Sequence, residues 1–305
     1  MFSLFTKEWL EQIISRLVLE NTLNRLKDFG GIPIFDKPII GIADGDDPLF
    51  EEFLTVVSPR HLIPRNFLNK KFPGSTDLSH VSVVSWALPF TEEIRRSNLS
   101  GTWPSRLYSL ARNNGGTLNY EVSHQLKEIL QKHGKAGVSP VLTEEYDAFR
   151  SPEYTFASSW SERHVAYAAG LGHFGLNGCL ITPIGVNVRF GSIITNLPLE
   201  PTPREKGSYK AACLEYGGKN CNQCIKRCPV NAISKNSLDK EKCYARKKSI
   251  EERFMEEYKN TMKLFPHPIV KNGRRTTGYS LGCALCQTGV PCEREYPELL
   301  LKEGS

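Results

Sequence analysis

The sequence has no long apolar run. No stretch of its 305 residues reaches the ~18 consecutive apolar positions of a membrane-spanning helix, which excludes a helical span. A secretory leader is missing too. MFSLFTKEWLEQIISRL carries Lys7, Glu8 and Glu11 early and has no A-x-A-like cleavage site. Its apolar residues Leu10, Ile13, Ile14 and Leu17 recur at the spacing of an amphipathic helix. Strong charge bias is also lacking. Lys and Arg number 39 against 33 Asp and Glu, and the basic clusters, Lys247-Lys248 and Arg274-Arg275, are short, so they read as solvated surface. These exclusions leave a soluble, cytoplasmic protein of two domains, or of one large domain with an appendage. In that compartment a disulfide framework is not expected.

Cysteine, by contrast, is plentiful and clustered. Nine are present, and eight follow residue 212: Cys213, Cys221, Cys224, Cys228, Cys243, Cys283, Cys286 and Cys292. Clustered C-x2-C pairs point to metal.

The segments before the cysteines predict a mixed fold. Residues 6–29 read as one or two helices closed by Gly30-Gly31, and Pro38–Ala43 and His80–Leu88 read as buried strands. Residues 103–113 and 117–133 predict two helices, Val138–Leu142 a strand and Trp160–Ala169 a helix with Ser161 as N-cap and Glu162 in its first turn. Leu180-Ile181 and Phe190–Thr195 predict a hairpin around Pro183-Ile-Gly185. The proline-rich stretch Leu197–Pro203 is the expected domain boundary. The resulting division is 1–203, an α+β core with N-terminal helices over 1–31, and 204–305, the cysteine-bearing part.

CNQCIKRCPVNAI, residues 221–233, is close to half of a two-cluster ferredoxin, which runs C-x2-C-x2-C-x3-C-P. Counting back from Cys228-Pro229, Cys224 and Cys221 fill two slots, and the remaining one falls on Gly218. Cys213 is the substitute, with Gly217-Gly218 able to turn the chain back. In ferredoxins the fourth cysteine of each run serves the other cluster. That rule groups Cys213, Cys221, Cys224 and Cys292 at one [4Fe-4S] cluster and Cys228, Cys243, Cys283 and Cys286 at a second. Zinc is the rival metal, but it would leave four cysteines unused. Cys213 or Cys243 as a buried free thiol is the other alternative. Cys179, the ninth, is either a small buried hydrophobe or a residue lining a cofactor pocket.

GLGHFG, Gly170–Gly175, matches G-x-G-x-x-G but follows a helix and precedes a strand, the wrong order for a dinucleotide site. Its glycines permit close approach of something flat or bulky. Gly170, Gly172, Gly175, Asn177, Cys179 and Arg189 are therefore expected at a cofactor. His173 is either a ligand or donor there or an ordinary loop histidine. Arg163 and His164 are weaker pocket candidates than Arg189.

SERHVAYAAGLGHFGLNGCLITPIGVNVRFGSIITNLPL, together with CNQCIKRCPVNAI, the lone Cys243 and GYSLGCALCQ, resembles the epoxyqueuosine reductases, with the reductive dehalogenases as more distant relatives. The resemblance covers roughly residues 80–295. It implies a nitroreductase-like α/β core holding cobalamin, with a ferredoxin-like two-cluster domain beside it. Electrons from an external low-potential donor would reach the cobalt through the clusters, and a nearby acid would supply a proton. Such enzymes carry a catalytic aspartate upstream of the arginine-bearing helix. Ungapped placement on Gly170-Leu-Gly172 puts Phe156 there, and Tyr154, two residues away, is the expected acid, a role the dehalogenases give to a tyrosine. The helical-repeat region that helps many epoxyqueuosine reductases hold tRNA is not expected after Cys292. With the modest positive charge, this argues against tRNA as substrate.

The resulting expectation is a cobalamin-dependent iron–sulfur oxidoreductase acting on an unidentified, small-molecule substrate. An electron-transfer or corrinoid-handling protein is the first alternative, and an epoxyqueuosine reductase the second.

Overall fold

In the computed structural model, residues 5–74, 77–205, 207–258, 260–271 and 274–297 are described. Residues 1–4 of the expected N-terminal helices, 272–273 between Cys243 and Cys283, and 298–305 of the expected C-terminal part lie outside them.

The chain opens with α1 (Lys7–Leu19), capped by the Thr6 hydroxyl, which accepts from Trp9 N. A short pair, β1 (Arg25–Leu26) and β2 (Ile32–Pro33), precedes β3 (Ile39–Asp44). Then come α2 (Leu49–Val56), α3 (Pro64–Lys71), β4 (Ser82–Pro89), α4 (Glu92–Ser97) and the long α5 (Arg106–Lys132). β5 (Gly137–Val138), the hairpin β6 (Ala148–Ser151) and β7 (Thr155–Ser158), and α6 (Glu162–Ala168) follow. β8 (His173–Phe174), β9 (Leu180–Ile181) and β10 (Val188–Thr195) lead to α7 (Gln223–Lys226), α8 (Lys240–Tyr258) and the hairpin β11 (His267–Lys271) and β12 (Arg274–Gly278).

The central sheet is antiparallel throughout, in the order β3-β4-β10-β5. Alternation along the strands divides the core. Ile40, Val84, Trp86, Leu88 and Ile193 pack with α1 and α5, while Ala43, Val83 and Ile194 pack with α2, α3 and α6. Helices cover both faces, which is why β4 reads as a nearly unbroken apolar run.

Two segments differ from expectation. The two helices expected over 103–133 are one. Asn113-Asn114-Gly115-Gly116 does not break α5 but receives other parts of the chain. A Cβ at Gly115 would lie 2.6 Å from the Phe35 ring. Asn114 binds Lys263 O (2.9 Å) and Phe265 N (3.0 Å), and Asn113 binds Phe265 O and Ser280 N, each at 3.0 Å. Second, Leu180-Ile181 pairs back onto His173–Phe174 rather than onto β10. A turn closed by Gly185 N to Thr182 O (2.8 Å), with Gly185 at φ 87°, sends β10 into the central sheet instead. Residues on either side of 203 also share packing. Ile250, Phe254 and Leu281 join the core of α1 and α5, and Leu176, Ile181 and Val186 join Ala212, Ile233 and Val290.

Among the described residues no helix is long and apolar enough to cross a membrane.

Candidate functional site

The stretch expected to supply the missing cysteine turns as its glycines suggest. Gly217 N donates to Cys213 O (2.9 Å) and Lys219 N to Leu214 O (2.9 Å), with Gly218 left-handed at φ 74°. The turn returns Cys221 beside Cys213. Cys292 arrives from the other end of the chain, held where Val186 N donates to Cys292 O (2.8 Å). Cys213, Cys221, Cys224 and Cys292 line one narrow cavity. Burial, then the neighbouring Cys213 and Cys221, pushes the Cys224 thiol up to about 12. Cys292 is raised by burial and by the same group. Crowded thiols of this kind resist ionising unless a cation shares them.

A second cavity, of about 250 Å³, is lined by Cys228, Cys243, Cys283 and Cys286, with Cys179 as a fifth thiol. Burial raises Cys243 and Cys286, and Cys179 is the largest charged influence on each. Cys179 accepts from Gln287 Nε2 (2.9 Å). Among the described residues no three His, Cys, Asp or Glu side chains are set as ligands of a single metal ion. A cubane makes a different demand, because its four thiolates bind four separate irons.

Asn177 stands in the wall shared by the two cysteine cavities. Its Nδ2 donates to Cys286 O (3.0 Å), and its Oδ1 accepts from Cys179 N (3.1 Å). Gly175 lines the first cavity. Gly170 and Gly172 line neither, and what approaches them is protein backbone. A Cβ at Gly172 would lie 2.0 Å from Ile181 O, and one at Gly170 3.0 Å from Pro203 O. His173 is buried beside Glu205, with Nε2 to Oε2 at 3.7 Å. Arg163 lines the second cavity and donates to Gly178 O (3.2 Å). His164 faces a separate apolar groove with Tyr167 and Phe174.

A third cavity, of about 590 Å³, adjoins the second at Lys247, which lines both. Tyr120, Tyr146, Tyr244 and Tyr279 form its walls, and Arg189 and His267 lie within it. This tyrosine cavity is within the usual size of a small-ligand site. β11 contributes Pro268, Ile269 and Val270, so the segment between Cys243 and Cys283 covers this cavity. Arg189 Nη2 donates to Arg112 O (2.6 Å). Burial and the Arg112 charge pull Arg189 down to about 9, which leaves it cationic at neutral pH.

No protein-family model matches the chain. Two curated proteins do. One, from Gloeobacter violaceus, is 33% identical over 147 residues, covering 47% of this chain and 39% of that protein. The other, from Staphylococcus aureus, is 35% identical over 85 residues, covering 27% of this chain and 20% of that protein. Both are named epoxyqueuosine reductase. The chain resembles the epoxyqueuosine reductases. It spans well under half the length of these relatives. A solved epoxyqueuosine reductase from Bacillus subtilis aligns over 95% of this chain and 66% of its own, with 17% identity and a TM-score of 0.48.

Phe156 packs its ring 4.4 Å from that of Tyr244, which lines the tyrosine cavity. Tyr154 sits in the β6–β7 turn, where its carbonyl accepts from Lys240 Nζ (3.0 Å), and it lines none of the three cavities. Tyr120 and Tyr146 do line one. Glu162 lies close enough to both for its charge to act on their phenols. Both Glu162 carboxyl oxygens are shut off from solvent. Burial pushes its pKa up to about 7, opposed only by the nearby Ser192 hydroxyl. Sequence reading passed over this residue, because a glutamate in a first helical turn is ordinary helix chemistry. Only the fold shows that this turn points into the core.

Proposed function

We propose that the chain is an iron–sulfur oxidoreductase whose two [4Fe-4S] clusters feed a corrinoid and, beyond it, a small-molecule substrate at the tyrosine cavity. The observation that carries this reading is the sorting of eight cysteines around two adjoining cavities, in the groups that ferredoxin crossing demands. In this reading residues 204–305 are the ferredoxin-like domain and 1–203 the nitroreductase-like core. Cys213, Cys221, Cys224 and Cys292 hold one cluster, and Cys228, Cys243, Cys283 and Cys286 the other.

The tyrosine cavity fits a corrinoid in the chemistry of its walls. Four tyrosines suit a flat macrocycle, and Lys247 adjoins the second cysteine cavity. Bound there, a corrinoid would supply a low-valent metal as reductant. The chain's own residues do the rest. Glu162 holds a proton near neutral pH, and Tyr120 and Tyr146 stand between it and the cavity. Asn177 fixes Cys286 through its backbone, and Gln287 orients the Cys179 thiol toward the second cluster's cavity. Reduction of epoxyqueuosine itself is a second reading, favoured by the names of the two curated relatives. It requires Glu162 and its tyrosines to do the work of the aspartate that Phe156 replaces.

Purification and reconstitution without oxygen test the proposal. The expected result is about eight irons and eight sulfides per chain, and a changed cobalamin spectrum on addition of the protein. Cys213→Ser should halve the iron. Eight irons with no corrinoid response would instead favour the electron-transfer alternative, and zinc in place of iron would refute both.

A further inference from the structure

The inner corner of the tyrosine cavity has a donor–acceptor pattern of its own. Arg189 and His267 converge on α5 at Gly116. A Cβ there would lie 3.1 Å from His267 Nε2 and 3.4 Å from both Arg189 terminal nitrogens. His267 is 4% exposed, and its Nε2 has no partner. Its Nδ1 lies 3.2 Å from Pro268 O. A carbonyl can only accept, so Nδ1 carries the proton, and Nε2 of the neutral ring presents a lone pair. Burial, with Arg189 and Lys247 nearby, keeps the ring neutral, pulling its pKa down to about 4. Arg189 Nε is likewise buried and unpartnered. The corner therefore offers cationic donors on one side and a single acceptor on the other. Among the lining residues Glu251 and Glu252 are the carboxylates, each one helical turn beyond Lys247 and Lys248 on α8.

We infer that this corner takes an oxyanion that itself carries an O–H, such as a 2-hydroxy acid. The anionic oxygen meets Arg189, with Lys247 close by, and the hydroxyl donates to His267 Nε2. A bare anion would set its lone pairs against that of Nε2. A neutral hydroxyl compound would leave Arg189 unpaired. A phosphodiester, such as a corrinoid's nucleotide tail, has no O–H and would satisfy only one side. The inference rests on the tyrosine cavity being the substrate's and names the class of that substrate.

Inorganic phosphate and sulfate separate these cases, since at neutral pH hydrogen phosphate bears an O–H and sulfate does not. Titration into the reconstituted holoprotein by calorimetry should show phosphate binding about tenfold or more tighter than sulfate, the effect of one charge-assisted hydrogen bond. His267→Ala should abolish that preference. Gly116→Ala, which suits a helix and keeps both side chains, should weaken phosphate binding by about tenfold while iron content stays at its wild-type value. Equal affinity for the two anions, binding of neither, or a phosphate preference that survives in both variants would overturn the inference. A wild-type iron content alongside any of these would leave the two-cluster reading standing, whereas loss of iron from the wild-type protein would strike that reading instead.

Discussion

Replacing Glu162 by Gln removes a buried carboxyl while keeping its shape. Its pKa of about 7 stands above an ordinary value of 4.5 because burial disfavours the charged form. Between those values the folded state holds a proton that the unfolded chain has released. Stability therefore falls as pH rises from about 4.5 to 7 and is flat above. The gap corresponds to roughly 3 kcal/mol, lost in full by pH 8. Gln carries no such penalty. The variant should match the wild type at pH 4.5 and exceed it by roughly 3 kcal/mol at pH 8, on the order of 5 °C in Tm. Denaturant unfolding at a series of pH values measures this directly. Infrared difference spectra should show a protonated carboxyl in the wild type at pH 6 that is missing from the variant. Parallel stability–pH curves for the two proteins would refute the argument, because they would mean that Glu162 ionises in the fold as freely as in water.

Two further outcomes follow from packing and burial. Burial holds His61 down to about 4 and His164 to about 3, each below an ordinary 6.5. The unfolded chain then binds more protons across that window, so stability present above pH 6.5 should drain away as pH falls toward 4 and 3. His164→Gln should make the acid side of a urea-midpoint curve shallower. Gly172→Ala would place a Cβ 2.0 Å from Ile181 O and 2.8 Å from its carbonyl carbon, both backbone. Equilibrium unfolding should register a loss of roughly 3 kcal/mol.

The turn at Gly217-Gly218 was legible because turn chemistry is a local property of sequence. The buried strands were legible from their apolar runs. Partner choice was not. Leu180-Ile181 and β10 are near neighbours with hairpin chemistry between them, yet Gly185 redirects the chain to a sheet position that nothing nearby in sequence specifies. Gly115-Gly116 read as a break because isolated helices dislike glycine. Their purpose lies in residues about 80 positions before and 150 after, Phe35 and His267. The burial of the Glu162 carboxyl was missed for the same reason. Glu162 and Tyr154 look alike as candidates until the fold buries one and leaves the other in a turn.

The two glycines of α5 tie its stability to the wall of the cavity. Each costs a helix interior about 1 kcal/mol relative to alanine, so the middle of this helix is intrinsically its weakest part. It is also where Asn113, Asn114 and Thr117 make five hydrogen bonds with Lys263, Phe265 and Ser280, at and beside the residues that wall the tyrosine cavity. Those bonds support the helix at the point least able to stand alone. Loosening that wall would therefore loosen α5 as well, so a helix that in outline looks rigid leans on residues distant in sequence.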